Sequence, residues 1–299
     1  MSRIEQALAK AAAERKRTPG KLHGFDDDPI HSKQLELTPE MLYGMDPRII
    51  ALFGGASAAA EQYKQLRTKL LRAKKLYSHN TVMVTSSLPA EGKTTTSASL
   101  AITIAQGLQE TVLLIDADMR KPGIQRALGI DPQHPGLADF LSGRITLEKA
   151  IVKTPLPKLS VIPAGSIPGN PSELISSEKM SSLITEAKNR YRDRIIIFDS
   201  PPVLSLTDSI ALGQKVDEVI LVVYAGRTPK EAVKDAVQSL SEVNLMGILL
   251  NHFDTLPLYY GKYKLKRSYG YGYGYGHGHG HGYGHGYGQS GHKPEEKDY

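Results

Sequence analysis

The chain has 299 residues, with 37 Lys and Arg against 31 Asp and Glu and no cysteine or tryptophan. A length near 300 fits one α/β core with additional segments at its ends, and the absence of cysteine excludes disulfides and thiolate metal sites. A formal charge of +6 is too small to mark a nucleic-acid binder; with no apolar run of about 18 residues and no secretory h-region, a soluble, cytoplasmic protein is expected.

In chain order, Ser2 to Arg17 is rich in Ala, Glu, Lys and Arg, with Ile4, Leu8 and Ala11 on one face. That is the pattern of a helix with a thin apolar stripe, either a docking element or a weakly packed surface helix. Thr18 to Asp28 contains Pro19, Gly20 and an acidic run and reads as a linker. Residues 1–55 are therefore assigned to an N-terminal helix and linker, 56–258 to the folded domain and 259–299 to a tail. From Ala58 to Lys75, Tyr63, Leu66, Leu70 and Ala73 recur at helical spacing, and Glu61, Lys64 and Arg67 lie on the charged face.

Thr81 to Thr85 is a short apolar run, and Ser86-Ser87-Leu88-Pro89-Ala90-Glu91-Gly92-Lys93-Thr94-Thr95-Thr96 leads from it into a helical pattern. A strand that ends in a small-residue loop and opens a helix aims several backbone N–H groups at one anion, and the helix dipole adds positive potential there. Pro89, Ala90, Glu91, Gly92, Lys93, Thr94 and Thr95 are thus predicted to cradle nucleotide phosphates. Lys93 supplies a cation for the β and γ phosphates and Thr94 a hydroxyl for Mg²⁺. Ser87 stands where the P-loop pattern usually has its first glycine.

Two further apolar runs end in carboxylates: Thr111 to Ile115 delivers Asp116 and Asp118, and Arg194 to Phe198 delivers Asp199. Ligands of an open α/β sheet sit outside the carboxyl ends of its strands, so these groups are expected to face the phosphates, with Asp199 placed to hold Mg²⁺ or one of its waters. Any one of these aspartates alone reads equally as a turn or cap residue; three such elements in this order do not. Leu159 to Pro163, Val216 to Tyr224 and Leu245 to Leu250 read as strands, Pro171 to Tyr191 and Thr228 to Val243 as helices. The expected fold is α/β, a P-loop NTPase whose mostly parallel sheet is covered by helices on both faces.

From Tyr259 the composition changes. Tyr259, Tyr260, Tyr263, Tyr269, Tyr271, Tyr273, Tyr275, Tyr283, Tyr287 and Tyr299 alternate largely with Gly. Gly at every second position prevents a packed core, so a disordered tail is expected. About 30 such residues span roughly 30 Å, and tethering gives effective concentrations on the order of mM; these tyrosines read as phosphoacceptors for their own oligomer. His277, His279, His281, His285 and His292 read as polar filler or as loose transition-metal ligands, and Lys262, Lys264, Lys266 and Arg267 as a solvated basic segment.

SSLPAEGKTTT, VLLIDADMRKP and IIIFDSPP resemble the Walker A, Walker A′ and Walker B elements of the bacterial tyrosine autokinases of capsule and exopolysaccharide loci, in the form found beside chain-length determinant proteins. The likeness runs from about Ala58 to Asp254 and includes GLADFLSG at 136–143, NPSELISSEKM at 170–180 and Leu249-Leu250-Asn251. Chromosome-partitioning and division-site ATPases share the fold but have a signature lysine five residues before the P-loop lysine, where this chain has Leu88. No eukaryotic-type kinase loop set is present in the required order.

The resemblance implies ATP and Mg²⁺ as cofactors, with Asp116 as the base for a tyrosine hydroxyl of pKa near 10 and Asp118 and Asp199 organising the metal. It implies that Glu61, Lys64 and Arg67 pair subunits into a ring. Lys64 replaces the family's arginine and lacks its planar fork, which implies a weaker interface; an ordinary i, i+3 surface pair is the alternative. Asn251 stands where related folds place a base-reading amide, or is a turn former; Arg120 contacts phosphate or a neighbouring subunit. Phosphorylation, at roughly 1.5 to 2 negative charges per tyrosine, would loosen the ring. A membrane-embedded chain-length protein is implied as activator and recruiter to the inner membrane face, with an opposing tyrosine phosphatase. A partner-controlled ATPase switch and a noncatalytic nucleotide-sensing scaffold remain as other readings.

Overall fold

Strands that are apolar on both faces form a stable sheet only when both faces are covered; the inner strands here meet that condition, while the edge strand ending at Asn251 leaves Ile248 and Leu250 about half exposed. In the computed structural model, which describes residues 37–53, 58–190 and 194–252, the seven strands are β1 Thr81–Ser86, β2 Thr111–Asp116, β3 Val152–Lys153, β4 Leu159–Ile162, β5 Arg194–Asp199, β6 Glu218–Tyr224 and β7 Leu245–Asn251. Their spatial order is β3-β4-β2-β5-β1-β6-β7. All neighbours run parallel except β3, which pairs antiparallel with β4. The helix expected at Ser2 to Arg17, the linker to Asp28 and everything from Tyr259 onward lie outside the described residues.

Successive residues of a strand point to opposite faces, and the core divides accordingly. Val82, Val84, Val112, Leu114, Ile195 and Ile197 pack on one face under α1 Pro39–Leu42, α2 Pro47–Phe53, α3 Ala58–Tyr77 and α4 Lys93–Ala105. Met83, Leu113, Ile115, Ile196 and Phe198 pack on the other, under the helices that follow β2: α5 Ile124–Ala127 aside, these are α6 Leu137–Leu141, α7 Leu147–Ala150, α8 Pro171–Ser176, α9 Glu178–Arg190, α10 Asp208–Gly213 and α11 Lys230–Ser239. Helix α4 is buried along nearly its whole length. Two of its buried hydroxyls bond one turn back, Ser97 Oγ to Lys93 O at 2.9 Å and Thr103 Oγ1 to Ser99 O at 2.7 Å, which helps a polar-looking segment sit against a sheet.

Three features differ from the sequence expectation. Residues 39–53, read as linker, form α1 and α2 and belong to the core through Leu42, Met45 and Ile49; Pro39 and Pro47 open the two short helices where a missing N–H costs nothing, and Asp46 Oδ1 accepts Arg48 N at 2.8 Å. The single helix expected from Pro171 to Tyr191 is broken at Ser177, whose backbone is extended and whose Oγ accepts Met180 N at 3.2 Å. A serine that caps a new helix is invisible to apolar periodicity. The two-residue β3 was too short to register as a strand.

The amino end of the sheet is tied together by Asp217, just before β6. Its Oδ2 accepts Asn80 N and Thr81 N at 3.0 Å and Thr81 Oγ1 at 2.8 Å, while Oδ1 pairs with Lys188 Nζ at 2.9 Å. Burial opposes its ionisation, but Lys188 and Thr81 outweigh that and hold its carboxyl below the ordinary range. A lowered carboxyl pKa contributes stability above the unfolded value and loses it as pH falls through the folded one. Asp217→Ala is therefore expected to cost about 2 to 3 kcal/mol at neutral pH, with the difference from wild type shrinking below about pH 4. Urea melts at the two pH values check this; a constant difference would contradict it.

Candidate active site

The loop between β1 and α4 gains its shape from two left-handed residues, Ala90 at φ 63° and Gly92 at φ 94°. Alternating hand along a short loop points consecutive N–H groups into one concavity, the geometry of an anion nest. Glu91 fastens the loop from below: its Oε2 accepts Leu88 N at 3.0 Å and its Oε1 accepts the hydroxyl of Thr228, after β6. Asn251, at the end of β7, donates Nδ2 to Glu91 O at 2.9 Å, and a Cβ on Gly92 would lie 2.0 Å from that same nitrogen. Only glycine fits there. Pro89 and Thr95 lie in the loop and in the first turn of α4. Ser87 is fully buried with no hydrogen-bond partner for its hydroxyl among the described residues.

Three strand ends bring the carboxylates to this loop. Register sets Asp116 of β2 opposite Asp199 of β5, and Asp199 in turn opposite Val84 of β1. Thr94 Oγ1 donates to Asp199 Oδ2 at 2.7 Å, Ser97 Oγ to Asp199 Oδ1 at 3.0 Å, and Lys93 Nζ pairs with Asp118 Oδ2 at 2.7 Å. Asp116 accepts Asp118 N at 3.1 Å and Gly123 N and Ile124 N at 3.0 Å. Expected as a base, it here holds the turn from 116 to 124 closed with both oxygens. Gly123 packs tightly on Thr94, where a Cβ would lie 2.8 Å from its methyl carbon.

Asp116 and Asp199 are 0 % exposed and Asp118 2 %, so three carboxylates share one interior with one lysine. Burial, then the neighbouring Asp199, pushes the Asp116 carboxyl up to about 8. Burial also raises Asp199. Burial alone would lower Lys93, but Asp199, Asp118 and Asp116 together hold it above its ordinary value. A hydroxyl and carboxylates are the hard-oxygen set that suits Mg²⁺, and the nest, the buried Ser87 hydroxyl and Lys93 suit phosphate. The residues present fit a magnesium nucleotide.

Other expected residues fall elsewhere. Glu61 and Lys64 pair with each other on the surface at 3.2 Å. Arg67 Nη1 donates to Thr103 O at 3.0 Å, in the last turn of α4. Arg120 bonds Asp208 Oδ2 at 3.3 Å and Ser172 Oγ at 2.8 Å, joining the loop after β2 to α10 and α8. Sequence reading missed Ser97 and the Glu91–Thr228 tie. Ser97 stands one helical turn after Lys93, so spacing could have found it; Thr228 is 137 residues from its partner and has no local signal.

Removing one negative charge should relieve the interior while disabling its metal donor set. Asp199→Asn is expected to stabilise the nucleotide-free protein by about 1 kcal/mol and to weaken Mg²⁺-dependent nucleotide binding by about tenfold or more. Calorimetric melting and titration check both; a lower melting temperature would contradict the charge crowding.

Comparison with known proteins agrees with this geometry. The AAA domain family matches residues 81–249. Tyrosine-protein kinase YwqD of Bacillus subtilis is 37% identical over 209 residues, covering 69% of this chain and 86% of that protein. Tyrosine-protein kinase etk of Escherichia coli is 34% identical over 204 residues, 68% of this chain but 28% of that longer protein. The solved kinase domain of Escherichia coli tyrosine kinase ETK superposes with a TM-score of 0.64 at 30% identity, covering 87% of this chain and 90% of that chain. The chain spans little more than a quarter of the length of etk and nearly all of YwqD. It belongs to the bacterial tyrosine-protein kinases, which use nucleotide on a P-loop AAA domain.

Proposed function

We propose that this kinase transfers the γ-phosphate of ATP to tyrosines of its own 259–299 segment, in trans within an oligomer, and so regulates exopolysaccharide synthesis or export. The observation that carries the reading is the meeting of Lys93, Thr94, Asp116, Asp118 and Asp199 at one end of β1, β2 and β5. The loop amides from Pro89 to Thr95 and Lys93 bind the phosphates, and Lys93 exchanges its Asp118 partner for them. Thr94, Asp199 and Asp118 would hold Mg²⁺, which when bound would neutralise charge on the transferred group. Asp116 takes the phenolic proton as the oxygen attacks phosphorus and the bond to the β-phosphate oxygen breaks. A carboxylate with a pKa near 8 is a far better match to that task than one near 4. Asn251 holds the base side of the loop. Positioning supplies most of the remaining rate.

Glu61, Lys64 and Arg67 are proposed as one side of the subunit contact, after the exchange of Arg67 from its carbonyl on α4. A membrane chain-length determinant protein as activator, recruitment to the inner membrane face through it and an opposing tyrosine phosphatase complete the proposal.

With radiolabelled ATP and Mg²⁺, the full chain is expected to become labelled on tail tyrosines, more so with the activator. A variant with every tail tyrosine changed to Phe should lose the label, and Asp116→Asn should lose it while still binding nucleotide. Release of free phosphate with no labelled protein would contradict the reading in favour of an ATPase switch.

A further inference from the structure

At the opposite end of the sheet from the nucleotide loop, α3 runs out over the amino end of β1 and leaves an unusual surface. Its exposed side presents Lys69, Arg72 and Leu76 at i, i+3 and i+7, with Lys75 beside them. Leu76 is 57 % exposed and Tyr77 66 %, and Leu108, on the loop that enters β2, is 51 % exposed. Tyr77, Leu71, Lys74, Lys75, Lys188, Glu110 and Asp217 are among the residues that line a groove of about 810 Å³. Lys188 is committed to Asp217. Among the described residues, none of Lys69, Arg72, Lys74 and Lys75 lies within ion-pair distance of a carboxylate. Over the whole helix, six basic residues stand against Glu61 alone.

Lysines in the last turn of a helix complement its dipole, which accounts for Lys74 and Lys75. That effect does not reach Lys69 or Arg72, and it gives no reason for leaving a leucine and a tyrosine in water beside them. Basic side chains mixed with exposed aliphatic and aromatic ones are the composition that anionic bilayers bind: the cations meet headgroups while Leu and Tyr enter the interfacial layer. An acidic peptide would use the cations but not the outward Leu76 and Tyr77. No described helix is long and apolar enough to cross a membrane, so the contact is superficial.

We propose that the end of α3, with Lys69, Arg72, Lys75, Leu76 and Tyr77, is a direct docking surface for an anionic lipid bilayer. β1 separates this surface from the P-loop by six residues, roughly 20 Å. Docking would therefore hold the nucleotide site turned away from the membrane and open to neighbouring subunits. The proposal does not rest on the tyrosine reading, and its test reads lipid rather than phosphate.

The test is co-sedimentation of the full chain, without activator, with vesicles of phosphatidylcholine alone and of equal parts phosphatidylcholine and phosphatidylglycerol. Binding is expected on the mixed vesicles only, and it should weaken as sodium chloride is raised. Lys69→Glu combined with Arg72→Glu and Lys75→Glu should reduce it about tenfold or more, and Leu76→Ser with Tyr77→Ser should reduce it severalfold. The serine pair sits on the surface and keeps the fold, so melting curves and nucleotide binding should match wild type. Equal binding of wild type and both variants would assign the lipid contact to other basic residues and overturn the proposal. Failure to bind mixed vesicles, or binding of a polyglutamate peptide in their place, would overturn it equally.

Discussion

In the parallel register of β2 with β5, Asp116 falls directly beside Asp199, and the turn that leaves β2 brings Asp118 back to Lys93. Neighbouring strands lie about 5 Å apart, so ionising both carboxyls at that spacing would cost on the order of 3 kcal/mol at an effective dielectric constant near 20. That cost adds to burial in holding Asp116 protonated up to about pH 8. Hydroxyls from Thr94 and Ser97 and main-chain N–H groups from 118, 123 and 124 offset part of this cost. Only one lysine faces the three carboxyl groups, and Asp116, pushed up by burial and then by Asp199, accordingly keeps its proton. The interior is built for additional positive charge, and a nucleotide that arrives with its metal supplies it; stability and function are in tension at these few atoms, as they are at many active sites.

The same constraint explains how far the sequence could be read. Strand ends were legible because a buried parallel strand is a continuous apolar run, and an aspartate that stops such a run can only sit at the sheet's carboxyl edge. The phosphate loop was legible from its small residues followed by Lys93 and Thr94. What stayed hidden was tertiary. Glu91 looked like one more loop residue until Thr228 was found bonded to it, and Arg120 had no visible partner until α10 brought Asp208 alongside. The α1–α2 segment was missed because Pro39, Gly44 and Pro47 cut its apolar residues, Met41, Leu42, Met45, Ile49, Ile50, Leu52 and Phe53, into pieces too short to show a helical period. Their burial depends on α3 and α4, not on their own periodicity. Asp116 shows the remaining limit: its place at the strand end was readable, but its three main-chain donors were not.

The two ends of the sheet carry different chemistry. The carboxyl end gathers buried charge around a left-handed loop, where a Cβ on Gly92 would overlap Asn251. The amino end is closed by the Asp217 hydrogen bonds and then opens into lysines, leucines and a tyrosine. Helix α4 lies between, packed against both β1 and α3, and its first turn carries Lys93 and Thr94. Arg67 is the visible link, because its guanidinium bonds the last turn of α4. Any subunit contact that recruits Arg67 would alter that turn as well.

The central claim is that the Lys93–Asp118 ion pair is a resting arrangement that a magnesium nucleotide replaces. A crystal structure of the full chain with Mg²⁺ and a nonhydrolysable ATP analogue tests it directly. The account predicts the terminal phosphates on the loop from Pro89 to Thr95, Lys93 turned onto them, and the metal between Thr94 and Asp199. An intact Lys93–Asp118 pair with the phosphates bound away from β1, β2 and β5 would contradict it.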